Sequence, residues 1–266
     1  TTEIYTLSLH DALPIFKSKP RGETFVMQRQ VHSTKASALF KREAKRYFSS
    51  SLYVVNTAFG YVMMVIAAVA LLVKAEEVSK FLEMPDMSIL PAIVPYVFGW
   101  MVSMSTSTAS AISMEGKSLW IIKSMPVSAR DWLAAKLKVT LMLAIPSILI
   151  SAALVVIGLK SSLIDAVWTF LIPLAYIFAF GVFGLWLNIR MPRLDWQSEA
   201  EAVKQSGSVM VSIFTGMGAA AAPAIVAGIT RSALVAPVTF IVLAGLTIAM
   251  WSSLVRSGEK RMLMLH

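Results

Sequence analysis

Cysteine is absent from the 266 residues, which excludes a disulfide framework and any thiolate metal site. Histidine is nearly absent: His10, His32 and His266 are scattered along the chain and cannot form a metal cluster. Charge is scarce as well, at 15% of residues against about 25% in ordinary soluble domains. The chain has no HExxH, no GxSxG and no dinucleotide fingerprint, so no enzyme activity and no cofactor of its own are expected. Gly116, Lys117 and Ser118 imitate the end of a phosphate-binding loop. However, Ala111 stands where its first glycine belongs, and an apolar run precedes it where a strand is required.

What fills the chain instead is apolar sequence, 57% of residues. Six uncharged runs cover 47–73, 87–114, 139–159, 166–189, 205–230 and 232–255, each of at least 21 residues. A hydrocarbon core about 30 Å thick needs ~20 apolar residues in a helix that rises about 1.5 Å per residue. All six runs qualify, whereas a membrane β-barrel would be built from alternating segments of about ten residues. The expected fold is all-α, a polytopic membrane protein with six transmembrane helices and an N-terminal interfacial amphipathic helix.

Lys and Arg set the orientation. Segments 17–46, 115–138, 190–204 and 256–261 hold 20 of the 24, and the alternate connections hold only Lys74, Lys80, Lys160 and Arg231. The positive-inside rule therefore predicts a multi-pass protein of the cell (plasma or inner) membrane with both termini cytoplasmic. The net charge of +9 is explained by this topology and by anionic lipid, with no nucleic-acid partner required. The connection at 74–86 faces outside and carries Glu76, Glu77, Glu83 and Asp86.

Residues 1–15, TTEIYTLSLHDALPI, have neither a starting Met nor a basic n-region and do not form a signal peptide. They resemble the translation of a sequencing-library adapter, which predicts that the natural protein enters near Phe16 and that the chain is a fragment. Residues 16–35 read as a basic cytoplasmic loop around Pro20 and Gly22. In 36–48, helical spacing sets Leu39, Phe40, Ala44, Tyr47 and Phe48 on one half of a helix and Lys41, Arg42, Lys45 and Arg46 on the other. An amphipathic helix of this kind can lay its apolar face among acyl chains. The six-span domain is expected over 49–256 and a cytoplasmic tail over 257–266.

Within the runs, Pro91, Pro95, Pro146, Pro173, Pro223 and Pro237 supply sites for kinks. Gly181, Gly184 and the small run 216–222 allow close helix approach. Asp165 starts the fourth run, where a carboxylate complements the helix dipole. Ser103, Ser105, Thr106, Ser107 and Thr108 either face a substrate path or bond to their own helix carbonyls. No charge interrupts the runs, so ion coupling lacks its usual signature.

The connection 115–131 is the most informative. Leu119, Trp120, Ile121, Ile122 and Met125 form a short apolar segment before Pro126, and Ser128 with Asp131 predicts a capping box for the next helix. A surface loop does not normally expose such a cluster. This motif, EGKSLWIIKSMPVS at 115–128, stands with KREAKRYFSSSLYVVNT at 41–57 and NIRMPRLDWQSEAEAVKQSGSV at 188–209. With them the chain, from about Leu39 to Arg256, resembles the C-terminal half of a type-2 ABC (ATP-binding cassette) exporter permease, of the large bacterial kind with two similar six-span halves.

The resemblance implies a coupling helix that docks on an ABC ATPase subunit, with Glu115, Gly116, Lys117, Leu119, Trp120, Lys123 and Pro126 as the transmission site. It implies that Asp195, Trp196, Glu199, Lys204 and Gln205 form a second cytoplasmic contact; an anchor at the membrane edge is the other reading. ATP-Mg would be held by the partner subunit, and the missing six-span half or a second permease copy would complete the assembly in the lipid bilayer. A membrane scaffold or assembly protein would use the same helices without a pathway.

Overall fold

The computed structural model describes residues 34–81 and 89–264. Outside them lie the adapter-like segment 1–15, most of the basic loop 16–35, Glu83 and Asp86, the end of the tail and the three histidines. Among the described residues all regular structure is helical: α1 (Lys35–Ser49), α2 (Ser51–Phe81), α3 (Leu90–Met104), α4 (Leu119–Ser124), α5 (Ala129–Gly158), α6 (Leu163–Asn188), α7 (Glu199–Val203), α8 (Gly207–Thr230) and α9 (Val235–Met264).

The helix starts follow local chemistry. Ser128 Oγ accepts from the Asp131 amide at 3.1 Å to open α5, and Ser162 Oγ accepts from the Asp165 amide at 3.2 Å to open α6. Asp165 is thereby part of a helix cap. Pro95, Pro146, Pro173 and Pro223 all lie inside continuous helices. The one departure from helical backbone in α2 falls at Lys74, where the apolar run ends.

Among the described residues, five helical stretches are long and apolar enough to cross a membrane: Ser51–Lys74 of α2, α5, α6, the Glu199–Thr230 stretch that joins α7 to α8, and α9. The run 87–114 differs from expectation, because it is not one helix. Its helix, α3, has 15 residues, about 22 Å, short of the ~30 Å of a bilayer core. Beyond Met104 the backbone passes through two short 3₁₀ turns, Ser107–Ala109 and Ser113–Ser118. The physical reason is local. Hydroxyls of Ser103, Thr106 and Ser110 bond to carbonyls three residues back, offering the backbone an alternative to the α-helical ladder.

Helix α6 forms the centre, packed against α3, α5, α8 and α9, and is buried over most of its length. Tyr61, Met64 and Ala68 of α2, Phe98 of α3, and Ala144 and Ile148 of α5 build one core. Tyr176 and Phe180 of α6 meet Tyr96 of α3 and Ala220 of α8 in a second. The outward faces stay apolar: Val55, Phe59, Val62 and Ile66 on α2, and Val238, Ile241, Val242 and Leu246 on α9, are exposed. A water-soluble bundle would be polar there, so these faces suit lipid.

Candidate functional site

Residues 105–116 of the irregular segment are buried, and their backbone polar groups must find partners inside the protein. Side chains from α2, α6, α8 and the connection after α6 supply them. Asn188, at the last turn of α6, accepts with Oδ1 from the amides of Ile112 at 2.7 Å and Ser113 at 3.0 Å. Its Nδ2 donates to Ser113 Oγ at 2.7 Å and to Ser208 Oγ of α8 at 2.9 Å. Ser208 Oγ in turn donates to the Ala109 carbonyl at 2.8 Å. Tyr53 of α2 donates to the Ser107 carbonyl at 2.6 Å, and Trp196 Nε1 donates to the Ser113 carbonyl at 2.7 Å. Nonhelical backbone is tolerated between apolar helices only when satisfied in this way.

At the end of the segment sits a cluster of five charges. Glu115 and Lys136 of α5 have fully buried side chains and meet at 2.7 Å. Lys136 Nζ also donates to Glu43 Oε2 at 3.0 Å and to the Ala111 carbonyl at 3.1 Å, and lies 4.9 Å over the Trp132 ring. Trp132 Nε1 donates to Glu115 Oε1 at 3.1 Å. From α1, Arg42 pairs with Glu115 at 3.1 Å and with Glu43 at 3.0 Å, and Arg46 pairs with both carboxylates.

Three cations against two carboxylates leave one surplus positive charge. The most solvated member, Arg42, has a side chain 28% exposed, at the edge of the cluster, while Glu115 and Lys136 are wholly enclosed. Burial by itself pushes the Glu115 carboxyl up, but Lys136 and Arg46 beside it outweigh burial and hold it well below the ordinary carboxylate range. Glu115 is therefore ionised at neutral pH and locks α1, the 105–118 segment and α5 together.

Helix α1 differs in role from a purely lipid-facing amphipathic helix. Leu39, Glu43 and Tyr47, spaced by four, form its buried stripe, and the helix packs on α5. Phe48 is exposed, and Arg42 and Arg46 face carboxylates of the protein.

The residues of the expected transmission site divide between this lock and the surface. Glu115 belongs to the lock. Gly116 adopts φ +48°, the left-handed region, and a Cβ there would approach the Trp196 ring at 3.1 Å. Leu119 is buried with Ile122 against Trp132 and Leu133, while Trp120 is 67% exposed and Met125 is exposed beside it. Lys123 Nζ donates to the Leu263 carbonyl at 3.5 Å, near the end of α9, and Pro126 lies in the turn before α5. The backbone at Lys117 lies in the second 3₁₀ turn.

Of the expected second contact, Trp196 joins the first motif through Ser113 and Gly116. Glu199, at the start of α7, accepts from Ser50 Oγ at 2.5 Å, while Asp195, Lys204 and Gln205 are exposed. The hydroxyl series is enclosed by packing. Ser103, Ser105 and Thr106 donate to nearby carbonyls, Ser107 bonds Thr140 Oγ1 at 2.5 Å, and Thr108 lies against Gly184.

Trp132 and Lys136 lie outside the quoted motifs; Glu43 and Asn188 lie inside them but were not expected as site residues, and Arg42 and Arg46 were read only as the polar half of α1. One signal was present: Glu43 stands on the Leu39 and Tyr47 stripe, an acid on an apolar face. Lys136 follows Trp132 by one turn but reads as an ordinary cytoplasmic cation. Compared with known protein families, curated proteins and solved structures, the chain matches none of them.

Proposed function

We propose that the chain is a membrane-spanning permease component of an ATP-driven ABC exporter, with α4 as the element that receives force from a separate ATPase subunit. One observation carries this reading. A six-residue helix presents Trp120 outward, holds itself by Leu119 and Ile122, and stands four residues from Glu115, the centre of the buried charge lock. A push on α4 then reaches α1 and α5 through ion pairs and α6 and α8 through Asn188. Rigid elements joined in this way can shift as a body between two arrangements.

In this reading α3 and the irregular segment after it make a sixth crossing, and both ends of the chain lie on the basic, cytoplasmic side of the cell membrane. Asp195, Trp196, Glu199, Lys204 and Gln205 form the second cytoplasmic contact. ATP-Mg is bound and hydrolysed by the partner, and a further six-span half or a second copy completes the pathway.

The test is purification from native membranes with the ATPase activity that accompanies the chain. Trp120→Ala with Lys123→Ala should lower that activity by about tenfold or more, as loss of an exposed aromatic anchor does at interfaces, while the chain remains in the membrane and folded. Retained coupling in this variant would count against α4 as the contact. A chain that carries no ATPase at all would leave a scaffold role.

A further inference from the structure

A second polar feature lies apart from the charge lock, where the end of α6 meets the end of α9. Here a cavity of about 310 Å³ is lined by Arg190, Arg261 and Asp195, with apolar walls from Ile189, Leu194 and Met264. Arg190 lies 3.6 Å over the Trp186 ring and donates from Nη1 to the Trp186 carbonyl at 2.8 Å. That contact fixes the guanidinium plane and leaves its other donors without a partner among the described residues. The Nε of Arg261 is buried and has no hydrogen-bond partner among the described residues. Neither arginine forms an ion pair among the described residues, although Asp195 lines the same cavity. Burial, and then the like charge of Arg261, pull the Arg190 guanidinium below its ordinary pKa.

Two cations set against each other, one with an unsatisfied buried donor, form a costly arrangement that an anion would relieve. Guanidinium forks match phosphate oxygens. Position selects the source of the phosphate. Helix α9 has 30 residues, about 45 Å, and α6 has 26, about 39 Å, so both exceed the ~30 Å core and carry their terminal arginines into the headgroup layer. Apolar walls beside the arginines suit the glycerol and upper acyl region of a lipid. Basic pockets between membrane helices bind anionic headgroups by this chemistry.

We infer that Arg190 and Arg261 form a binding site for the phosphate of an anionic phospholipid, seated between the ends of α6 and α9. The site requires these helices to span a membrane and stands whether or not the chain couples to an ATPase.

Native mass spectrometry of the full chain, purified with mixed phosphatidylglycerol and phosphatidylcholine, tests it. The unaltered chain should retain one phosphatidylglycerol preferentially. Arg190→Gln with Arg261→Gln should weaken that retention roughly 30-fold, the effect of losing both guanidinium contacts to one phosphate. Arg256→Gln with Lys260→Gln, on exposed positions of the same helix, should leave it nearly unchanged; an equal loss there would reduce the site to diffuse surface charge and overturn the proposal. Displacement of the lipid by millimolar inorganic phosphate would identify a soluble-anion site and also overturn it. On the unaltered chain, a photoreactive phosphatidylglycerol in lipid nanodiscs should label 186–195 and 261–264. Labelling confined to other segments would overturn the proposal even if the arginine variant failed to fold.

Discussion

Two lysine–glutamate pairs, one where α1, α5 and the 105–118 segment meet and one at the end of the apolar run of α2, have the same separation, 2.7 Å, in opposite surroundings. Lys136–Glu115 is fully enclosed and shares its charges with Arg42, Glu43 and Arg46, whereas Lys74–Glu77 is more than half exposed on both sides. The difference is one of solvent. Water screens the exposed pair and competes for it, so its presence contributes little. At the buried pair no water is at hand, and each charge depends on the others for its solvation. The buried pair therefore acts as a structural lock, while the exposed one can be lost without consequence.

The largest effect is expected from Glu115→Ala, which leaves Arg42, Arg46 and Lys136 opposite Glu43 alone. Removing one partner of a buried network costs about 3–5 kcal/mol, read as a fall in thermal unfolding temperature in detergent. Acid should reach the same lock. The folded Glu115 pKa is depressed from 4.5, so its stabilisation is complete above that value and is lost as pH falls through and below it. Unfolding temperature should therefore drop below about pH 4.5 in the unaltered chain, and more shallowly in Glu115→Gln.

Asn188→Leu should come next. It strands the amides of Ile112 and Ser113 without a partner, at a cost of roughly 2–4 kcal/mol, and should raise proteolytic cleavage within 105–118. Gly184→Ala tests the packing beside that segment. A Cβ there meets Thr108 Oγ1 at 2.6 Å and the Ala109 amide at 2.8 Å, so overpacking of about 1–3 kcal/mol is expected in the same unfolding assay. The smallest effect belongs to Glu77→Ala at the exposed pair, below about 0.5 kcal/mol. A value near that of Glu115→Ala would break the contrast between the two pairs.

Much of this architecture was legible residue by residue. The uncharged runs located five long helices, Ser128 with Asp131 marked the start of α5, and Asp165 at the head of its run belongs to the Ser162 cap of α6. The run 87–114 reads as one helix by apolarity and length; of the two readings of its hydroxyls, bonding back to their own carbonyls is the one seen where α3 ends at Met104. The charge lock was nearly invisible. Glu43, Glu115 and Lys136 lie far apart in the chain, and each alone reads as one more charge beside a membrane run.

The sequence by itself determined the helical, membrane-suited character of the chain, because apolar content, helix caps and charge segregation are local properties. Only the tertiary structure decided that Glu115 is buried and ionised, that Trp120 faces outward while Leu119 and Ile122 do not, and that Arg190 and Arg261 share one cavity. Burial and electrostatic pairing depend on which distant residues are brought within a few ångströms, and that information resides in the packing of α1, α5, α6 and α9.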